Sequence, residues 1–185
     1  LDRNLNEEVM NRREAIYKDY ESRICFNIST SLVSDSHSLI KDLGKYFDKS
    51  LPSVTKVIPI GHYDDDCNLI ANNKKILCFG PLRWRKGSDL LPEIILNTLK
   101  ELSGWDFIIA TSGGEMTEIR EILEKFEKQK LITLVIDPDE DTKHKLMQRS
   151  DILLLPSRYE SFGMVASEAL CHGMKVVCAE VGGLR

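Results

Sequence analysis

The sequence has few cysteines, no long apolar run and no strong excess of either charge. Its five cysteines among 185 residues are scattered without a C-x-x-C pair, which excludes a disulfide framework and favours a reducing, cytoplasmic compartment. No run of about twenty apolar residues is present, so no membrane-spanning helix is predicted. A formal net charge of −4 offers no strongly basic face for nucleic acid. The composition, 42% hydrophobic and 29% charged, is that of a globular domain.

Short apolar runs alternate with helical patterns along most of the chain. Runs that are apolar at every position are typical of strands buried on both faces. The predicted strands are Ser31–Ser34, 56–60, 76–79, 106–110, Ile132–Ile136, Ile152–Leu155 and Lys175–Cys178. The predicted helices are 1–23, 38–47, 88–102, 115–128, 142–149 and Met164–Cys171. This alternation predicts an α/β fold with a doubly wound parallel sheet, in which ligands bind at the carboxyl ends of the strands.

A polar stretch rich in turn-forming residues marks the best domain boundary. It contains three consecutive aspartates at 64–66 and the pair Asn72-Asn73. Such residues favour turns and linkers over buried elements. The sequence therefore predicts two parts, residues 1–66 and residues 67–185.

The loop after the third predicted strand carries three cations. Arg83, Arg85 and Lys86 come just before a predicted helix start, where unpaired N–H groups and the helix dipole favour an anion. Lys86, beside Gly87, adds a point charge that can reach a phosphate. The residues fit a solvated basic loop equally well. The G-x-x-x-x-G-K-[ST] pattern is not matched, so the loop is not a P-loop.

The loop after the sixth predicted strand holds a glycine and leads to two glutamates. Gly163 lets a ligand approach the backbone closely, and the amides of Gly163, Met164 and Val165 could hold a diphosphate. Glu168 would lie about 12 Å beyond Glu160 if the segment between them were wholly helical. That separation is too long for a paired-carboxylate glycosidase centre and suits two hydroxyl-bearing groups of one extended ligand. The alternative, slightly favoured for Glu168, is a surface residue of the helix.

Weaker signals lie in an acidic turn and in the histidines. Asp137 and Asp139 form a D-x-D pair after the fifth predicted strand, and such a pair can hold a divalent metal against a diphosphate. An acidic turn that caps the next helix is the favoured interpretation. The four histidines have no metal-ligand spacing. His172 follows Glu168 by four residues, which places both on one helix face, where a local ion pair would explain them.

Two segments together carry a family resemblance. Residues 156–170, PSRYESFGMVASEAL, contain Glu160 and Glu168 with seven residues between them, Phe-Gly after the first and Glu-Ala at the second. Residues 79–91 run from Phe-Gly through Lys-Gly to Asp-Leu-Leu. In both segments the chain resembles the retaining glycosyltransferases of the GT-B fold that carry the E-x7-E motif, the glycosyl transferases of group 1. The resemblance extends from about residue 30 to the end of the chain.

The resemblance implies a Rossmann-like donor domain in the carboxy-terminal half of a two-domain GT-B architecture. Residues 1–66 would be the end of the acceptor domain and the linker, and residues 67–185 a donor-binding domain truncated at its carboxyl end. The implied reaction is retaining transfer of a sugar from a nucleoside diphosphate sugar to a hydroxyl of a sugar, glycolipid or other acceptor. This activity belongs to polysaccharide or glycoconjugate synthesis and is compatible with peripheral membrane association of the parent enzyme. The fragment alone is expected to be inactive.

The resemblance also implies roles for the matched positions. Glu160 would bond hydroxyls of the donor sugar, Glu168 would bond the ribose, and Lys86 would bind the diphosphate. Glu160 and Lys86 are the implied catalytic residues. The implied donor-binding residues are Gly80, Arg83, Arg85, Lys86, Asp137, Glu160, Ser161, Phe162, Gly163, Met164, Val165 and Glu168. No metal and no cofactor are implied, and the nucleotide sugar is a substrate.

One departure from the family pattern and two rival functions bear on these assignments. Pro81 stands where the family usually has Arg, and Arg83 or Arg85 is the candidate to replace that charge. One rival is a non-catalytic nucleotide-binding module with the same sheet. The other is a metal-dependent sugar transferase that uses Asp137 and Asp139.

Overall fold

The computed structural model describes residues 31–34, 37–47, 54–58, 72–113 and 116–185. The chain divides into two compact units after Pro59. The helix predicted over residues 1–23 lies outside the described residues. The predicted boundary between residues 66 and 67 stays a prediction, as does the assignment of its two sides to acceptor and donor.

The described part of the first unit is a small parallel β-α-β arrangement. Strand β1 (Ser31–Ser34) pairs with β2 (Val54–Val57), and Ser31 lies opposite Val54. Helix α1 (His37–Phe47) lies between them in sequence. β2 begins two residues earlier than predicted because the β-branched Val54 and Thr55 also pair with β1.

The second unit is built on five parallel strands in the order β5-β4-β3-β6-β7. The strands are β3 (Lys75–Phe79), β4 (Asp106–Thr111), β5 (Ile132–Ile136), β6 (Ile152–Leu155) and β7 (Lys175–Cys178). The chain adds β4 and β5 on one side of β3 and then returns to place β6 and β7 on the other. The strand order therefore reverses between β3 and β6, which is where open α/β sheets bind ligands. This Rossmann-like sheet confirms the predicted fold class.

The helices lie close to their predicted positions. They are α2 (Leu91–Glu101), α3 (Thr117–Lys128), α4 (Glu140–Gln148) and α5 (Met164–Cys171). α2 starts later than predicted because Ser88–Leu90 forms a short 3₁₀ turn, which leaves Pro92 in the first turn of the helix, where its missing N–H costs little. Among the described helices none is long and apolar enough to cross a membrane.

Alternate residues of the central strands feed two cores. Ile76 and Cys78 pack on one face of the sheet with residues of α2 and α3, whereas Leu77 packs on the other face with residues of α4 and α5. Helices on both faces explain why the interior positions of these strands are apolar. Burial raises the pKa of the Cys78 thiol to about 12, so this thiol stays protonated at neutral pH.

The two central strands share only a short pairing. β3 and β6 pair through Ile76 with Ile152 and Leu77 with Leu153, whereas β3 and β4 pair along the whole of Lys75–Phe79. The carboxyl ends of β3 and β6 therefore continue into separate loops. The first, loop A, is residues 80–90, and the second, loop B, is residues 156–163.

Candidate functional site

Loop A lies directly against the start of loop B. It contains two 3₁₀ turns, Trp84–Lys86 and Ser88–Leu90, separated by Gly87 in the left-handed region with φ +68°. A Cβ at Gly87 would lie 2.0 Å from the Pro156 carbonyl oxygen. Only glycine permits this approach, and it brings Lys86 beside loop B.

Loop B enters α5 through a glycine and is supported from behind by the last residues of the chain. Gly163 has φ +84°, and a Cβ there would meet the Leu184 side chain at 2.4 Å. The Gly183 N–H donates to the Glu160 carbonyl oxygen at 3.0 Å. A Cβ at Gly182 would lie 1.8 Å from that same oxygen. The turn Gly182–Leu184 therefore fixes the backbone of loop B.

A cleft of about 230 Å³ lies between the two loops and the start of α5. Except for Leu155, its lining residues all belong to the predicted donor-binding set. They are Arg85, Lys86, Leu155, Glu160, Ser161, Phe162, Gly163, Met164 and Val165. Most of the residues that the family resemblance singles out therefore meet in one concavity at the point where the strand order reverses.

The two residues predicted to be catalytic touch one another in this cleft. The Lys86 ammonium forms an ion pair with Glu160 Oε1, and the Ser157 hydroxyl donates to the same oxygen at 3.0 Å. The Glu160 side chain is only 9% exposed. A nearly buried carboxylate of this kind requires a cation or hydrogen-bond donors, and here it has both.

The predicted arginines and Gly80 are divided between the cleft and its surroundings. Arg85 lines the cleft, whereas Arg83 is exposed and does not line it. Of the two candidates to replace the charge lost at Pro81, Arg85 is therefore the better placed. Gly80 directly follows β3, donates its N–H to the Ala110 carbonyl oxygen, and borders a separate cavity of about 30 Å³.

Glu168 is not the exposed helix residue that the sequence alone slightly favoured. Its side chain is 13% exposed and forms a 2.8 Å ion pair with Lys143 of α4. The Lys143 ammonium also lies 5.6 Å from the centre of the Phe79 ring. Burial lowers the pKa of Lys143, but hydrogen bonds and charge from Glu168 and Glu140 outweigh it and leave the pKa raised. The estimated 12 Å separation from Glu160 does not apply, because the helix begins only at Met164.

The acidic turn caps a helix, as favoured from the sequence. The Asp139 carboxylate accepts a hydrogen bond from the Thr142 N–H at 2.8 Å and caps α4. Because the cap is Asp139, α4 begins at Glu140 rather than at residue 142. Asp137 is exposed at the end of β5, has φ +48°, and does not line the cleft. The described residues contain no group of three or more side chains placed to hold a metal ion.

Removal of the Asp139 cap has a testable, pH-dependent effect. Asp139→Ala is expected to lower the thermal midpoint by about 3 °C at neutral pH. The hydrogen bonds from Thr142 hold the pKa of Asp139 below its ordinary value. Its contribution is therefore present above a pH of about 4 and is lost as the pH falls through the folded-state pKa. Thermal melts from pH 3 to pH 7 test this, and Asp139→Asn is the control, since it keeps an acceptor oxygen at every pH. A pH-independent gap between Asp139→Ala and wild type would contradict the cap assignment.

His172 does not form the local ion pair predicted with Glu168. Its Nδ1 lies 2.8 Å from the Glu168 backbone oxygen, and its Nε2 lies 3.2 Å from Nδ1 of His144. The Glu168 carboxylate turns instead to Lys143. Because the carbonyl oxygen is an acceptor, Nδ1 of His172 is placed to donate to it, and the histidine pair joins the end of α5 to α4.

A group of contacts that joins loop A to loop B was not predictable from the sequence. The Arg158 guanidinium forms a bidentate pair with Asp89, at 2.6 Å and 2.8 Å. It also donates to the Trp84 carbonyl oxygen at 2.9 Å and lies 4.5 Å from the centre of the Trp84 ring. The paired residues are 69 positions apart, and no local pattern points from one to the other.

The fold and the cleft define a Rossmann-like domain of the kind found in the carboxy-terminal half of GT-B glycosyltransferases. Residues 64–185 match the family described as glycosyl transferases group 1, and the chain belongs to this family. This match confirms the family predicted from the two motif segments, and the retention of configuration stays a prediction.

This chain covers less than half the length of each of the relatives described below. A glycosyltransferase of Methanocaldococcus jannaschii, described as uncharacterized, is 31% identical over 125 residues, which cover 68% of this chain and 30% of that protein. Sucrose-phosphate synthase of Thermosynechococcus elongatus has a TM-score of 0.73 at 19% identity, with 91% of this chain and 45% of that chain covered. The pneumococcal O-GlcNAc transferase GtfA, solved with UDP and GlcNAc, has a TM-score of 0.66 at 23% identity and coverages of 83% and 31%.

Proposed function

We propose that this chain supplies the nucleotide-sugar donor site of a retaining glycosyltransferase. The observation that carries the proposal is the Lys86–Glu160 ion pair, which lies in a cleft at the amino-terminal end of α5. The acceptor is a hydroxyl of a sugar, a glycolipid or a similar molecule, in polysaccharide or glycoconjugate synthesis. The enzyme acts in the cytoplasm.

The reaction requires a cleft that stabilises a diphosphate leaving group. Negative charge grows on the diphosphate as its bond to the sugar breaks, and preorganised donors stabilise that charge. Lys86 and Arg85 supply cations, and the first amides of α5 supply N–H groups at the positive end of the helix dipole. This set neutralises the diphosphate without a divalent metal.

The two glutamates mark the ends of an extended ligand. Glu160 accepts hydrogen bonds from hydroxyls of the donor sugar, and the diphosphate draws Lys86 away from it. Glu168 accepts a hydrogen bond from the ribose, and its ion pair with Lys143 orients the carboxylate. Asp137 lies at the end of β5 and is assigned to the neighbourhood of the base. Each acid thus has a lysine as its ion-pair partner.

A thermal-shift panel tests the donor site on the chain itself. UDP, GDP and ADP, each at millimolar concentration and with or without EDTA, are compared with UMP, GMP and AMP. At least one diphosphate is expected to raise the thermal midpoint by several degrees, because a ligand that binds only the native state stabilises it. The matching monophosphate is expected to raise it less, since it offers less charge to Lys86.

Two outcomes contradict this proposal. Equal shifts by diphosphate and monophosphate would remove the diphosphate role from Lys86. Loss of the shift in EDTA would show that a metal, rather than the cations of loop A, meets the diphosphate.

A further inference from the structure

The cleft requires that loop A and loop B, which are distant in sequence, hold a fixed position relative to one another. Lys86 lies in loop A and Glu160 in loop B, 74 residues apart. Loop A is built from short 3₁₀ turns rather than from a regular element. Its alignment with loop B therefore depends on the contacts that cross between the loops.

Arg158 makes most of these crossing contacts. Its guanidinium holds both oxygens of Asp89, at 2.6 Å and 2.8 Å, and the Trp84 carbonyl oxygen, at 2.9 Å. Its backbone N–H donates to the Arg85 carbonyl oxygen at 2.9 Å. Arg158 thus binds loop A both before and after Lys86, while it sits two residues before Glu160 in loop B.

We propose that Arg158 is a positioning residue that holds Lys86 in place beside Glu160, a role that rests on the proposed function of the cleft. Arg158 does not line the cleft itself. It acts through the backbone of loop A, because its contacts with Trp84 and Asp89 span the turn that presents Lys86.

The chemistry of arginine suits this task better than that of lysine. A planar guanidinium can grip a carboxylate with two parallel hydrogen bonds while one face stacks on an aromatic ring. Arg158 does both, with Asp89 at its edge and Trp84 against its face. The Asp89 and Arg158 side chains are 30% and 29% exposed, so the ion pair contributes little to the free energy of unfolding. Its role is to fix the orientation of loop A relative to loop B.

Chemical labelling of Lys86 tests the proposal without any ligand. The 185-residue chain is treated with trace acetic anhydride, and the acetylation rate of Lys86 is measured by peptide mass spectrometry relative to the exposed Lys100 of α2. In wild type, the contact with Glu160 protects the Lys86 amine. Arg158→Ala and Asp89→Asn are each expected to raise its relative rate roughly fivefold, as expected for a coupled pair of contacts. Arg158→Lys is expected to restore part of the protection.

A matched variant separates positioning from a general loss of stability. Arg120 forms an ion pair with Glu124 on the exposed face of α3, so Arg120→Ala removes an arginine from another surface ion pair, far from the loops in sequence. It is expected to leave the Lys86 rate unchanged. If Arg158→Ala proves too unstable to isolate, Asp89→Asn decides alone, because it keeps the Arg158 side chain. Unchanged Lys86 labelling in Asp89→Asn, or equal increases in the Arg120 variant, would overturn the proposal.

Nucleotide affinity then distinguishes this proposal from the function on which it rests. Isothermal titration with UDP, GDP and ADP is expected to show a roughly fivefold weaker Kd in Arg158→Ala, with little further loss when Lys86→Ala is already present. Additive losses would show that Arg158 does not act through Lys86 and would refute the positioning role. If wild type binds none of the three ligands while Lys86 labelling responds as expected, the donor-site function fails and the positioning role stands.

Discussion

Replacement of Lys86 by Met is expected to lower sugar transfer by an enzyme carrying this domain by at least about a hundredfold. In the proposed function, the substitution removes a cation that stabilises the charge developing on the diphosphate. It also leaves the Glu160 carboxylate, 9% exposed, without the ammonium that neutralises it. We expect the isolated chain to lose about 2 kcal/mol in its free energy of unfolding for this second reason.

The two consequences of this substitution can be separated with matched variants. Lys86→Arg keeps the charge and is expected to retain most of the stability. The double variant with Lys86→Met and Glu160→Gln removes both charges, so it is expected to regain stability without regaining transfer. Denaturant unfolding measures the first quantity and a steady-state transfer assay the second. Near-normal turnover in Lys86→Met would refute the role given to this lysine.

Replacement of Gly182 by Ala is expected to displace the backbone of loop B at Glu160. The added Cβ would lie 1.8 Å from the Glu160 carbonyl oxygen, and the residue has φ +49°. Because the obstacle is backbone rather than a flexible side chain, loop B must move. We expect a loss of about 3 kcal/mol in the free energy of unfolding, together with a weaker Kd for nucleoside diphosphate.

Gly104 provides the control for this experiment. It also has a positive φ, +78°, but a Cβ there meets nothing within 4 Å. Gly104→Ala therefore measures the conformational cost alone, about 1 kcal/mol. Denaturant unfolding of both variants gives the difference that is due to the collision. Equal losses in the two variants would show that the turn at Gly182 does not support loop B.

Local pattern was sufficient to predict most of the fold. Strand Ile152–Leu155 has the predicted bounds, because it is a short apolar run between turn residues. Helix starts were less predictable, since they depend on which residue provides the cap. At α4 the cap is Asp139, and the helix therefore includes Glu140 and Asp141, which the apolar pattern alone does not assign to a helix.

The site was predictable in composition but not in its internal contacts. The motif segments supplied nearly every residue that lines the cleft, including Arg85 and Met164. The lysine partners of the two glutamates could not be predicted from the sequence, because each lysine lies on a different element from its glutamate. No local sequence pattern distinguishes Lys143 from the other polar residues of α4, and only the fold brings it to Glu168. Such contacts depend on strand order, which local spacing does not encode.

The short pairing between β3 and β6 has a mechanical consequence. The two sides of the sheet, β5-β4-β3 and β6-β7, share backbone pairing at only two residue pairs, Ile76 with Ile152 and Leu77 with Leu153. A ligand bound by Lys86 on one side and by the amides of α5 on the other would bridge the boundary between β3 and β6. Ligand binding in the cleft would then reduce local opening of the strands on both sides of this boundary. Amide hydrogen exchange in β3 and in β6 would slow together.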